Sequence, residues 1–180
     1  MSKGLKRGVA WALGALLFAL HPAPAFSSAA RDAQATILAD ASYQGALLEQ
    51  IREAKRRIIC AFYLFKVGDR RGNLPAAVAS ELLQARRRGV DVTVILEGGS
   101  PVGRENRVAA STLSRGGVRV VIPRGKRVVH AKAAVIDGRY VMLGSHNLTH
   151  AALSRNRELS VLLDSPELAA QTTGYLEGIR

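Results

Sequence analysis

At 180 residues the chain is long enough to bury one real core and too short for two large ones. Lys and Arg number 26 against 14 Asp and Glu, a net charge of +12 that points to a polyanionic partner. Cys60 is the only cysteine, which excludes an intrachain disulfide and a cysteine zinc site; in the apolar run IICAFYLF it reads as a packed core thiol.

The first 25 residues read as a secretory signal peptide. Lys3, Lys6 and Arg7 form a basic start, Gly8 to Leu20 is an uncharged apolar run, and Ala23-Pro24-Ala25 offers a small-x-small cleavage site. The run is shorter than the ~20 apolar residues of a spanning helix. Cleavage would place the protein in the periplasm or outside the cell; an uncleaved segment would anchor it to the membrane. Without the three basic residues of 1–25, 23 basic residues face 14 acidic ones, and the net charge is +9.

Residues 26–34 form a small, polar, flexible entry, and one domain is expected over 35–180. ATILAD (35–40) predicts a first strand. Leu47, Leu48, Ile51 and Ala54 recur at helical spacing and end in Lys55, Arg56 and Arg57, which suit a helix C-terminus. A strand follows over 58–65. Pro75 then opens a helix with Val78, Leu82 and Ala85 on its apolar face, stopped at Gly89. Val90 to Leu96 is an apolar strand of the kind buried on both faces. The glycine-containing loop 97–106 leads into a helix through about Ser114, and VRVVI (118–122) is the next strand. The second half changes pattern: AKAAVID and RYVMLG flank the turn pair Asp137-Gly138 and read as a hairpin. ELSVLLD (158–164) adds a strand, and Pro166 opens a last helix. The fold class is α/β: a mixed β-sheet flanked by helices on both faces, an α/β sandwich in a single domain.

Strand alternation puts His130 and Lys132 on one face, separated by roughly 6.5–7 Å at Cα, so both side chains can reach one phosphate between them. Gly144 permits close backbone approach at the strand end. Ser145 and Asn147 add short polar groups just beyond it, where donors stabilise charge on a phosphoryl oxygen. Asn147 also fits as the cap of a helix beginning at Leu148. No cluster has the ligand count of a catalytic metal site, and Lys132 supplies positive charge to the phosphate, so no metal and no cofactor are expected.

The full string is H-x-K-x4-D-x6-G-S-x-N, and it resembles the signature of the phospholipase D superfamily, in particular its short, single-motif bacterial endonucleases. Glu158 in RNRELSVLL matches the family's glutamate on the following strand, and the β/α pattern agrees over about 35–180. The resemblance implies phosphodiester cleavage through a phosphohistidine. His130 attacks phosphorus, Lys132 and Asn147 bind phosphate oxygens, Ser145 assists, and Glu158 accepts a hydrogen bond from His130. Asp137 completes the catalytic signature, although strand parity and its place before Gly138 give it a structural ion-pair or turn role. A second histidine must protonate the leaving oxygen, yet neither His146 nor His150 is followed two residues later by Lys. A homodimer with one composite site on its two-fold axis supplies the missing imidazole.

Three functions fit the sequence. A nuclease of low sequence specificity, acting on DNA or RNA, is favoured by the charge and by the basic loops, with Arg104 and Arg127 expected on the substrate. A phospholipase or phosphatidyltransferase could use the same site, but the loops 66–73 and 97–107 leave no room for large insertions that would cradle lipid tails. A non-catalytic polyanion-binding module would not require the intact His130, Lys132, Ser145, Asn147 and Glu158 set.

Overall fold

A hairpin organises the second half of the chain. In the computed structural model, which describes residues 33–68, 72–99 and 101–180, Lys132–Ile136 and Tyr140–Gly144 pair antiparallel around Asp137-Gly138. Ile136 pairs with Tyr140, so Asp137, Gly138 and Arg139 make the connection; Asp137 and Gly138 take positive φ, 54° and 67°, and the Arg139 N–H closes the turn onto the Ile136 carbonyl at 3.0 Å. The proposed signal peptide and most of the 26–34 entry lie outside the described residues.

The strands in chain order are β1 (Gln34–Ala39), β2 (Arg57–Phe62), β3 (Asp91–Leu96), β4 (Arg119–Val121), β5 (Lys132–Ile136), β6 (Tyr140–Gly144) and β7 (Leu159–Asp164). The helices are α1 (Ser42–Glu53), α2 (Leu74–Arg87), α3 (Gly103–Arg115), α4 (His150–Ser154) and α5 (Pro166–Glu177). All seven strands form one sheet in the order β1-β7-β6-β5-β2-β3-β4. β2, β3 and β4 are parallel and joined by α2 and α3, while β5, β6, β7 and β1 run antiparallel to their neighbours, so the sheet is mixed.

Burial alternates as the pleat demands. Cys60, Phe62, Val94, Leu96, Ala134 and Met142 face α1, α2, α3 and α4, whose Leu47, Ile51, Val78, Leu82, Leu113 and Leu153 fill the larger core. Ile59, Ala61, Ile95, Ala133 and Val141 face the other way, against Ala169 and Leu176 of α5. Helices therefore cover both faces. Burial pushes the Cys60 thiol up to about 12, which leaves it protonated and packed. The sequence-expected elements all form; β1, however, pairs with the last strand, β7, and lies at the sheet edge with most of its residues exposed.

The register fixes two ends of the sheet. Phe62 at the end of β2 lies opposite Lys132, and Gly144 lies opposite Ser160, so the ends of β2 and β6 and the starts of β5 and β7 share one edge. Asp137 sits at the opposite edge. Its carboxylate accepts the backbone N–H groups of Lys55 (2.9 Å), Arg56 (2.8 Å) and Arg57 (2.9 Å), and Arg56 donates to its carbonyl at 2.5 Å. Asp137, counted in the catalytic signature, is thus a clamp between the hairpin turn and the α1–β2 connection. The length of β5 keeps it from His130.

Partial burial works to raise the Asp137 carboxyl, but the three N–H donors and the Arg56 charge outweigh it and hold it below its ordinary value. A depressed native pKa stabilises the fold above the unfolded value of about 3.9, and that contribution is lost as pH falls through the native one. Asp137→Asn, which tolerates the positive φ, should cost about 1–2 kcal/mol at pH 7, toward the low end because solvent screens the group. Urea unfolding should find the gap between wild type and variant closing below about pH 4.

Candidate active site

The residues that precede β5 carry the nucleophile of the sequence analysis. His130 is exposed just before the strand, and its ring meets the Tyr63 ring, with centroids 4.7 Å apart and planes at 51°. Lys132 Nζ lies 3.1 Å from His130 Nδ1 and 3.3 Å from Nε2, donates to the His130 carbonyl at 2.9 Å, and sits 5.5 Å from the Tyr63 ring centroid. An ammonium only donates, so a hydrogen bond to the ring requires an imidazole nitrogen with a free lone pair, the neutral form a nucleophile needs. Burial pushes the Lys132 ammonium down from its ordinary value, and the Glu158 charge opposes that shift.

Beyond β6, Ser145 and Glu158 are locked together. Ser145 Oγ donates to Glu158 Oε2 and accepts the Leu159 N–H at 3.1 Å, while Asn156 donates to Glu158 Oε1 at 3.0 Å. The expected hydrogen bond from His130 to Glu158 is not formed: Ser145 and Asn156 occupy the carboxylate, and the His130 ring meets Lys132 and Tyr63 instead. Asn147 is not a helix cap either. Thr149 caps α4, its hydroxyl accepting from the Ala152 N–H at 3.1 Å. That leaves the Asn147 side chain at the site edge, where its buried Oδ1 has no hydrogen-bond partner among the described residues.

Several residues that the motif does not contain shape this edge. His146 is fully buried and stacks on Tyr43 at 4.2 Å. Its Nε2 lies 2.9 Å from the Asp40 carbonyl, which can only accept, so Nε2 carries a proton, and Nδ1 shares a 2.6 Å hydrogen bond with Ser160 Oγ. His146, buried with both ring nitrogens committed, therefore has a structural place in this edge. Asp40, at φ 50°, accepts the Glu158 N–H at 2.9 Å and Arg157 at 3.0 Å, and these contacts hold its carboxyl below the ordinary range. Tyr63 was foreshadowed only by its place at the end of an apolar strand run. Asp40 and Ser160 reach the site through pairing of β1, β6 and β7, which no local pattern encodes.

The basic residues divide. Arg127 lines a cleft shared with His130, Val128, Tyr175 and Ile179. Arg104 lines a separate depression with Gly98, Gly99, Gly103 and Arg107. Among the described residues, no three His, Cys, Asp or Glu side chains gather in a way that could hold a metal ion, and no helix is long and apolar enough to cross a membrane.

Residues 47–180 match the family described as cardiolipin synthase, PLD-like domain. The chain belongs to the phospholipase D superfamily. It is similar to cardiolipin synthase B of Escherichia coli, with 31% identity over 135 residues that make up 73% of this chain and 31% of that protein, so it spans about a third of that relative. Its fold is like that of Nuc, a phospholipase D family member from Salmonella typhimurium, with a TM-score of 0.72 at 23% identity, covering 82% of this chain and 94% of the other. NucT from Helicobacter pylori is similar as well, at a TM-score of 0.69 and 18% identity, covering 82% and 96%.

Within this superfamily fold the glycine of the motif has a steric reason. A Cβ on Gly144 would lie 2.5 Å from Ser160 Cα, a backbone atom, and closer still to the Ser160 hydroxyl that holds His146. Gly144→Ala should destabilise the protein by about 1–3 kcal/mol, read by urea unfolding. Adding Ser160→Gly should not restore stability, since the Cα clash remains.

Proposed function

We propose that the chain is a phosphodiesterase that hydrolyses nucleic acid with low sequence specificity, without a metal, as a homodimer exported to the periplasm or beyond. The observation that carries the reading is the contact of the Lys132 ammonium with the His130 ring at an exposed sheet edge. Unprotonated His130 attacks phosphorus, forming the N–P bond as the bond to the leaving oxygen breaks. His130 of the partner subunit gives that oxygen a proton. It then accepts one from the water that attacks phosphorus and releases His130. Lys132 and Asn147 bear on the phosphoryl oxygens as charge develops.

Nucleic acid is favoured over lipid by charge. Arg124, Lys126 and Arg127 are exposed on the segment that leads to His130, Arg104 and Arg107 are exposed at the start of α3, and phosphate contacts alone give affinity without sequence choice. The likeness in fold to Nuc and NucT, each covered almost whole by this chain, supports the same reading. The likeness to cardiolipin synthase B supports a second reading, phosphatidyl transfer on membrane phospholipid. The dimer is supported by the single His-x-Lys and by Ile37, Leu143 and Leu159, which are 66%, 36% and 59% exposed. Register places these three on one sheet face at the site edge, an apolar surface suited to a second copy.

The mature protein should degrade plasmid DNA or RNA in EDTA and lose that activity steeply between roughly 50 and 200 mM salt. Hydrolysis confined to phosphatidylcholine vesicles and indifferent to salt would establish the lipid reading instead. Mixing wild type with excess His130→Ala, under subunit exchange, should lower activity well below simple dilution. Activity linear in wild-type chain, with a monomer by light scattering, would rule out the composite site.

A further inference from the structure

Glu97 follows β3, outside the motif, and only 8% of its surface is exposed. Its carboxylate is turned entirely to backbone: Oε1 accepts the Gly99 N–H at 2.6 Å and Oε2 accepts the Val129 N–H at 2.6 Å. Hydrogen bonds to an ionised acceptor are roughly twice as strong as neutral ones. Asn106, with no exposed surface, completes the brace. Its Oδ1 accepts the Phe65 N–H, and its Nδ2 donates to the carbonyls of Tyr63 and Glu97, each at 2.8 Å. Two side chains thus join the end of β2, the end of β3 and the approach to β5.

That approach needs a brace. Residues 122–131 lie between β4 and β5 in no helix or strand, so no sheet ladder fixes the peptide that carries His130. Two hydrogen bonds flank it instead. Glu97 holds the Val129 N–H on one side, and the Tyr63 N–H donates to the Ala131 carbonyl at 3.1 Å on the other. Tyr63 is also the ring against His130, and its carbonyl is held by Asn106. We propose that Glu97 is a positioning residue for the nucleophile, fixing the backbone before His130 so that the imidazole meets Lys132 and Tyr63. The inference rests on His130 acting as the nucleophile of the proposed reaction. A displacement of about 1 Å at a reacting atom can cost on the order of 100-fold in rate.

The test compares wild type with Glu97→Gln, which can accept only one of the two N–H groups, and with Glu97→Ala, which accepts neither. On a nucleic-acid substrate, kcat should fall about 10-fold or more in Glu97→Gln and further in Glu97→Ala, toward that 100-fold scale, with KM nearly unchanged. Imidazole proton resonances supply a readout that a general loss of structure would not mimic. His130 should shift or broaden in both variants. His146, buried in a separate network with Tyr43, Ser160 and Asp40, should stay in place. If Glu97→Ala fails to fold, Glu97→Gln alone carries both measurements. Unchanged kcat, a rise in KM alone, or equal movement of His146 and His130 would overturn the assignment. A wild-type protein without nuclease activity would overturn the proposed reaction, and the comparison of His130 with His146 would still decide whether Glu97 positions the imidazole.

Discussion

The tight turn through Asp137 and Gly138 is the constraint on which the site depends. Both residues lie at positive φ, which closes β5 onto β6 in one register and sets Ala133 opposite Leu143. Because β5 and β6 are each five residues long, the chain leaves His130 and Lys132 at one sheet edge and returns to that edge at Gly144. The fixed spacing between lysine, aspartate and glycine in the motif is therefore a length rule: four residues (133–136) from Lys132 out to Asp137 in the turn, and six (138–143) around it and back to Gly144. A one-residue insertion in either arm would flip the alternation and carry Lys132 or Ser145 to the wrong face. Asp137 belongs to the signature for this reason, as the anchor of the turn, while the chemistry lies at the other end of the strand.

Much of the fold was legible because its signals are local. The helical spacing of Leu47 and Ile51, the Asn73-Leu74-Pro75 start of α2, and the apolar run of β3 each state their element within one segment. His130 and Lys132 were legible too, since positions two apart in extended chain lie on one side, although His130 itself precedes β5. Long-range pairing was not. β1 looked like the first strand of a β-α-β series, and only its antiparallel docking on β7 brings Asp40 to Glu158 and His146. The preference of Glu158 for Ser145 was hidden for the same reason: it depends on how β6 meets β7, thirteen residues apart in the chain.

Histidine is used here in two opposed ways. His146 has both ring nitrogens committed, one to a carbonyl and one to a hydroxyl, with its face on Tyr43 and no exposed surface. With both nitrogens bonded and the ring out of solvent, this imidazole has no free position for a substrate. His130 is exposed, its ring packed on only one aromatic edge, and its protein neighbour is a lysine that burial has made less basic. One sequence motif thus spans a structural imidazole and a reactive one, and their partners, not their positions in GSHN or HAK, distinguish them.

The same logic governs the carboxylates of this basic chain. Asp40, Glu97 and Asp137 all accept backbone N–H groups, at a β1 end, a β3 end and a hairpin turn. Each fixes peptide geometry, and Asp40 also pairs with exposed Arg157. By contrast, Arg104, Arg107, Arg124, Lys126 and Arg127 form no ion pair with an acidic residue among the described residues. Had Glu97 reached out to these cations, the pair would have been solvent-exposed and worth little to stability, and it would have neutralised part of that charge. Turning carboxylates inward and leaving cations outward lets one chain hold a precise sheet edge while presenting a surface on which a polyanion can lie. That division explains how a net charge of +9 over the domain coexists with a site whose geometry is set largely by acidic residues.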